Sequence, residues 1–519
     1  TPAAAGDGGP DRPGRARRHP AGAASLAPVL ATHWLAAVLL TAGLVLRVLA
    51  ELAYRPALFY IDTNRYLYNA DGNDPVGYKA LLRGILLIGN FDAVAAVQHV
   101  LGLAMAVVIY VLLLRRGTSR WLAALAMAPV LLDGYQLQDE QAIMPGTLFQ
   151  ALLVAGIAIL LWSPRVSWRR AAAAGLVLGA CATVAQVGEA LIVPAALFAL
   201  AAGGGWRRAA RRAAALVAGC AVPILAYCAG SLILTGSFAL SHTGITSFYG
   251  RTAAAADCAT LRLPAAQRGL CPDPAQQARG ADWLEYNAAS PVRPYYARLP
   301  RARADADLSD FNHQVLTQQP GALLGAYGRD VLKLFAVTRT TSPGDTPISR
   351  WQFQATYPYF TSHATRKFAR TATARFGGGA PAVWRPVAAF LRSYQLGGGY
   401  TPGPLLALFS LAGLAGSAAA ARRRAGPCQR GQALACLLFF GTGALVTLVS
   451  DLFEFSWRYQ LPALVTLAPA GALGISIIAG AVASRRRDGA RPAGGTPADP
   501  AGGPAGGPAA GSAAGPAGA

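Results

Sequence analysis

The chain has 519 residues, 54% hydrophobic and 13% charged, with a formal net charge of +22 and a mean hydropathy of +0.36. That balance lies outside the range of soluble globular domains and marks an integral membrane protein. The positive charge is arginine in short clusters between apolar runs, the pattern of membrane topology and not of nucleic-acid binding.

In chain order, residues 1–28 form a Pro/Gly/Ala/Arg-rich tail expected to be disordered. Apolar segments follow near 30–50, 93–114, 121–136, 146–162, 171–187, 190–204, 213–234, 403–421, 432–450 and 460–483, read against the roughly 20 residues a span needs. No small-residue cleavage site follows the first, so it is expected to stay as an anchor. A Gly/Ala/Pro tail over 488–519 is again expected to be disordered.

Basic clusters set the orientation, because cytoplasmic loops hold the Lys/Arg excess. Arg12, Arg15, Arg17 and Arg18 place the N-terminus inside. Arg115, Arg116 and Arg120, then Arg165, Arg169 and Arg170, then Arg207, Arg208, Arg211 and Arg212 follow the second, fourth and sixth segments. Arg422–Arg424 and Arg485–Arg487 follow the eighth and tenth. Clusters at both ends of 171–204 require an even number of crossings there, hence two short helices meeting near Gln186, Gly188 and Glu189.

The expectation is therefore an all-α polytopic membrane protein of about ten transmembrane helices, with both termini cytoplasmic. Membrane domains span 29–234 and 403–487, and one extracytoplasmic domain of unassigned class spans 235–402. That segment carries Trp283, Tyr286, Tyr295, Tyr296, Trp351, Tyr357 and Tyr359, a globular composition. Of seven cysteines, only Cys258 and Cys271 fall in it, where an oxidising environment permits a disulfide; two free thiols are the alternative. No Cys/His set has zinc-ligand spacing.

The parity rule also gathers acidic residues on the outer side. Asp62 follows the first segment, Asp139 and Glu140 the third, Glu189 the fifth, and Asp451 and Glu454, with Arg458 and Tyr459, lie between the ninth and tenth. A carboxylate near hydrocarbon is costly, so such groups are paired, hydrated or functional. Asp62, flanked by Phe59, Tyr60 and Tyr66, suits an interface position, while Asp71 and Asp74, beside Gly72, Asn73 and Pro75, read as turn residues. Pro145 and Gly146 mark a turn after Asp139 and Glu140. Arg458 beside Trp457 reads equally as a snorkelling interfacial arginine, and Lys79 as an interfacial lysine. Arg47 and Glu51 have the spacing of an i,i+4 pair, and His99 reads as a polar contact between helices.

The motifs "YIDTNRYL", "DPVGYKALL", "QDEQAIMPG" and "FSWRYQLPAL" together resemble the membrane glycosyltransferases of fold class C. The likeness is to their lipid-carrier-dependent branch, which includes protein mannosyltransferases and aminoarabinose transferases. It covers roughly residues 30–240 and 440–483. Several relatives carry a paired Asp-Glu in the first outer loop, where this chain has Asp62 followed by Thr63.

The resemblance implies transfer of a sugar from a polyprenyl-phosphate donor to a cell-envelope glycan, lipid or protein at the outer membrane face. Asp62 is then the base, with Asp139 and Glu140 as a second acidic site. Arg458, Tyr459, Arg65 and Lys79 are the candidates for substrate or phosphate binding. No cofactor is certain, and whether a divalent metal bridges the donor phosphate and the carboxylates stays open. A lipid-linked sugar flippase or transporter is the main alternative, although no related halves are visible and the ionisable groups gather at the outer rim. A non-catalytic envelope-assembly protein with the same fold is the other. No phosphate-cradling Gly motif follows a strand pattern, which disfavours a nucleotide-sugar donor.

Overall fold

The computed structural model describes residues 31–68, 77–241, 243–359, 363–422 and 426–489. The expected tail 1–28, all of the expected tail 488–519 but Asp488 and Gly489, and the turn residues Asp71 and Asp74 lie outside them. Contacts divide the chain into Thr1–Ile478 and Ala479–Ala519. The second unit is described only as the end of the last helix, and everything below concerns the first.

α1 (Trp34–Ala53) has 20 residues, about 30 Å at 1.5 Å per residue, the thickness of a bilayer's hydrocarbon core. Two short helices, α2 (Thr63–Tyr68) and α3 (Gly77–Ile88), lead to α4 (Phe91–Arg115), whose first turn is capped by the Asn90 side chain accepting from Ala93 N. α5 (Arg120–Leu132) begins on the Ser119 cap and stops at Asp133. The Asp133 carboxylate accepts from the backbone N–H groups of Tyr135 and Gln136, starting α6 (Gly134–Gln141) in a new direction. The segment expected at 121–136 is thus broken at its one acidic residue.

α7 (Gly146–Leu161) and α8 (Trp168–Ala182) follow, then a 3-10 turn (Gln186–Leu191), α9 (Ile192–Ala201) and α10 (Trp206–Thr235). The region 171–204 is two short helices joined at that turn. Gly175 and Gly179 make α8 fit: a Cβ on either would strike the Leu216 or Cys220 carbonyl of α10. Close backbone approach through small residues is how helices pack where no hydrophobic force separates them from lipid.

The stretch 235–402 supplies two cores. Helices α11 (Gly244–Ala255), α12 (Pro274–Gln277), α13 (Gly280–Tyr286), α14 (Val292–Arg298) and α15 (Arg301–Gln318) enclose Tyr249, Leu270, Leu284, Leu308, Phe311 and Val315. The Cys258–Cys271 disulfide closes one edge of this cluster. After α16 (Pro320–Lys333), the chain packs into the main core through Trp351, Phe353, Ala369 of α17 (His363–Phe376) and Leu391 of α18 (Arg385–Leu396). The segment of unassigned class is therefore helical. Among the described residues the only sheet is the pair β1 (Tyr54–Arg55) and β2 (Ala382–Val383), antiparallel with Tyr54 opposite Val383.

α19 (Gly403–Arg422), α20 (Pro427–Phe453) and α21 (Pro462–Gly489) complete the chain. Six described helices are long and apolar enough to cross a membrane: Trp34–Ala53, Phe91–Arg115, Trp206–Leu234, Gly403–Arg422, Cys428–Phe453 and Trp457–Ala483. Arg120–Leu132, Gly146–Leu161 and Gln186–Ala201 are shorter apolar helices. The chain is a membrane protein. Each of the ten apolar segments carries a helix among its described residues, and six of these helices reach membrane length.

Candidate functional site

Two loops far apart in sequence are zipped together. Leu58 and Ala142 form a parallel bridge, with Leu58 N donating to Gln141 O and Ile143 N to Leu58 O, both at 3.0 Å. Thr63, the residue that stands after Asp62 where an acid could have been, is fully buried. Its hydroxyl accepts from Tyr60 N at 2.8 Å and donates to Ile143 O at 3.2 Å. A hydroxyl that donates and accepts at once ties the loops, which a carboxylate cannot do.

This tie holds Asp62 at the start of α2, opposite Arg458 on the 3-10 turn Trp457–Gln460. Asp62 Oδ1 is 3.5 Å from Arg65 Nη1 and its Oδ2 is 3.9 Å from Arg458 Nη1. The Arg458 guanidinium lies 4.9 Å over the Trp351 ring and donates to the Tyr459 hydroxyl at 3.1 Å and toward Met144 Sδ at 3.7 Å. Tyr60 stacks on Trp351 with ring centroids 4.7 Å apart. The charge is thus fixed between aromatic faces.

Two cavities meet at this point. One, about 490 Å³, is walled largely by apolar groups such as Phe149, Val187, Val446, Val449, Phe453 and Pro462. The other, about 530 Å³, is polar and lined by Asp62, Arg65, Arg279, Asp282, Arg350 and Ser456, with Trp283 and Trp351. Tyr66, Tyr286, Glu454, Arg458 and Tyr459 line both.

Further acidic residues gather here: Glu454, expected on the outer side with Arg458, and Asp282 and Glu285, which the sequence did not single out. Burial pushes the Glu454 carboxyl up to about 8, with Asp282 adding to the rise. Its Oε1 accepts from the Thr346 hydroxyl at 2.8 Å. Burial also raises Glu285, in the wall of the apolar cavity, to about 7. Asp282 is raised by burial against the pull of Arg350, 3.6 Å away. The sequence signal was present in "ADWLEYN" and "ISRWQ", where charged residues alternate with aromatics, but nothing local says that these two stretches meet.

Asp139 is 1% exposed, behind the wall of the apolar cavity formed by Pro145 and Gly146. Burial pushes its carboxyl up to about 6 against the opposing field of Arg458. Oδ2 accepts from Thr147 at 3.5 Å, and Oδ1 has no hydrogen-bond partner. A Cβ at position 146 would collide with this carboxylate, so only glycine lets α7 start here.

Glu140 points the other way. It is fully buried, paired with Arg47 at 2.7 Å and with His99 Nδ1 at 3.0 Å, and it accepts from Gln136 Nε2 at 3.2 Å. Arg47 therefore does not pair with Glu51, as the i,i+4 spacing predicts, because the carboxylate of α6 is nearer and completely desolvated. His99 is a polar contact between helices, bonded to Glu140 and Gln141. Lys79, on α3, is 2% exposed and lines neither cavity. Of the residues singled out from sequence, Asp62, Arg65, Arg458 and Tyr459 come together, Asp139 lies just behind them, and Glu140 and Lys79 are elsewhere. Among the described residues, no group of three or more His, Cys, Asp or Glu is placed to share a metal ion, and the Asp62 oxygens face guanidinium groups instead.

No protein-family model matches the chain, and no curated protein matches it. Among solved structures the chain is similar to the oligosaccharyltransferase AglB of Archaeoglobus fulgidus in complex with an inhibitory peptide and a dolichol-phosphate. There the identity is 14% and the TM-score 0.39, over 90% of this chain and 53% of that one. It is likewise similar to the oligosaccharyltransferase of the same organism in the apo form, at 14% identity and a TM-score of 0.41, over 89% and 53%. This chain spans about half the length of those proteins.

Proposed function

We propose that the chain is a multi-pass membrane glycosyltransferase that moves a sugar from a polyprenyl-phosphate donor to an acceptor at the outer membrane face, with Asp62 as general base. The observation that carries this reading is the meeting of an apolar and a polar cavity at Arg458, with Asp62 on the polar side. An amphiphilic donor needs that division: its isoprenoid end favours the apolar cavity by the hydrophobic effect, and its phosphate favours a fixed guanidinium.

In the reaction, the acceptor hydroxyl gives its proton to Asp62 while its oxygen attacks the anomeric carbon. The bond from that carbon to the phosphate oxygen breaks, and the electron pair leaves with the phosphate, whose charge Arg458 stabilises. The Asp62 contacts of 3.5 and 3.9 Å are longer than the ~2.7–2.9 Å of a tight charge-assisted hydrogen bond. The carboxylate therefore keeps lone pairs for an incoming hydroxyl. Asp139, behind Gly146, is a support group for Arg458, not a second base.

The test is transfer from a polyprenyl-phosphate-linked sugar in membranes that hold equal amounts of parent, Asp62→Asn or Asp139→Asn protein. Loss of a general base predicts a fall of about 10²–10⁴ for Asp62→Asn and a smaller one for Asp139→Asn. If both variants transfer as well as the parent, the assignment is abandoned. A parent that transfers nothing yet moves the lipid-linked sugar between leaflets is a flippase. The orientation is checked with fused reporters: one within 260–390 reads outside and one after position 487 reads inside, and the reverse overturns an outer-face site.

A further inference from the structure

The polar cavity contains more than a donor phosphate and a base require. Arg458 and Arg65 stand beside Asp62, but two further guanidiniums, Arg279 and Arg350, line the same space. Arg350 is balanced by Asp282 at 3.6 Å. Arg279 is solvent-exposed and lies 5.4 Å over the Trp283 ring, with no carboxylate among the described residues paired to it. The cavity's remaining acid, Glu454, is held toward its neutral form by burial and by Asp282. The sum is a surplus of positive charge in the cavity.

Aromatic faces accompany that charge. Trp283 and Tyr286 line the cavity with part of their surface open, whereas Trp351 already carries Tyr60 and Arg458 on its ring; flat rings with polar edges give apolar contact and hydrogen bonding together, which suits the face of a sugar ring. In the same wall, Trp351 Nε1 and Ser456 Oγ are buried without a hydrogen-bond partner among the described residues. Buried polar groups are seldom left unmatched without a functional reason.

We propose that the polar cavity selects an anionic carbohydrate as acceptor, its ring against Trp283 and its anionic substituent on Arg279 and Arg350. The inference rests on the glycosyltransferase reading and adds the acceptor class to it. A sugar phosphate and a uronic acid share the required chemistry. A planar guanidinium binds either in a fork geometry, and a neutral sugar leaves the surplus charge unmatched.

The experiment measures binding to the full chain in lipid nanodiscs by calorimetry, with glucose 6-phosphate, glucuronic acid, methyl glucoside and inorganic phosphate as probes. At least one of the two anionic sugars binds about ten-fold or more tighter than both methyl glucoside and inorganic phosphate, and comparing them separates a phosphate from a carboxylate requirement. Arg279→Gln, an exposed position where folding is not at stake, removes that preference, and Arg350→Gln weakens it. Equal binding of methyl glucoside, equal binding of inorganic phosphate, or an unchanged preference in Arg279→Gln each overturns the proposal. Farnesyl phosphate, tested on the parent and on Arg458→Gln, reads the donor side separately. If it binds through Arg458 while the anionic sugars show no preference, the acceptor inference alone falls. If neither class of probe binds, the glycosyltransferase reading falls with it.

Discussion

Arg47→Met tests the buried support beneath the second acidic loop. Arg47 is 2% exposed and donates to Gly43 O, Leu131 O, Val130 O and Glu140 Oε1, at distances from 2.7 to 3.1 Å. Methionine fills a similar volume but leaves the fully buried Glu140 carboxylate with only His99 and Gln136 as partners. Removing one partner of a buried ion pair costs about 3–5 kcal/mol. The orphaned carbonyls at the end of α5 add roughly 1 kcal/mol, for a total of about 5 kcal/mol. The same accounting requires that neutralising the stranded carboxylate restore part of the loss. Arg47→Met with Glu140→Gln should therefore be more stable than Arg47→Met alone, by about 2 kcal/mol of coupling. The assay is thermal unfolding of each variant in nanodiscs of one lipid composition, followed by tryptophan fluorescence. A double variant that melts no higher than the single one refutes the reasoning, because the penalty would then not come from an uncompensated charge.

Two further outcomes concern the polar cavity and the helical cluster beside the disulfide. Glu454 and Glu285 are raised by burial to about 8 and about 7, so from about pH 5 upward the unfolded chain has shed protons that the folded chain keeps. Fewer protons on the unfolded state means that stability falls as pH rises through that window. The melting temperature should drop between about pH 5 and about pH 8.5, less steeply in Glu454→Gln, and an unchanged slope in that variant contradicts the burial argument. Replacing Cys258 and Cys271 by serine opens a loop of sequence separation 13, worth about 3 kcal/mol in the chain-entropy account. Limited proteolysis should then cut first within the helical cluster of α11–α15 while α1–α10 stay protected. Equal protection of both, relative to the parent, would show that the cross-link is dispensable.

Much of the architecture was readable because the forces behind it are local. Hydrocarbon thickness sets the length of an apolar run, and arginine clusters mark every second loop, so the break in 171–204 could be inferred from parity alone. The break at Asp133 could not. It needs Arg339, whose guanidinium reaches Asp133 Oδ2 at 2.8 Å, and Thr401 N, which donates to the same oxygen; both lie more than 200 residues away in sequence. Glu140 and Asp139 adjoin each other in the chain but have opposite surroundings, because consecutive helical residues point about 100° apart.

The sequence by itself determined that this is a helical membrane protein and that two cysteines could be joined, and it set the expectation that Asp62 and Arg458 share one side of the membrane. These depend on composition, spacing and charge sign, which each segment carries alone. The tertiary structure decided that Asp62 faces Arg458 across a junction of two cavities, that Thr63 is the tie between loops, and that Glu140 serves the core. It also brought Arg279, Asp282 and Arg350 from the segment 235–402 into the polar cavity. Those outcomes depend on distances between residues hundreds of positions apart, and such distances are set by packing of the whole chain.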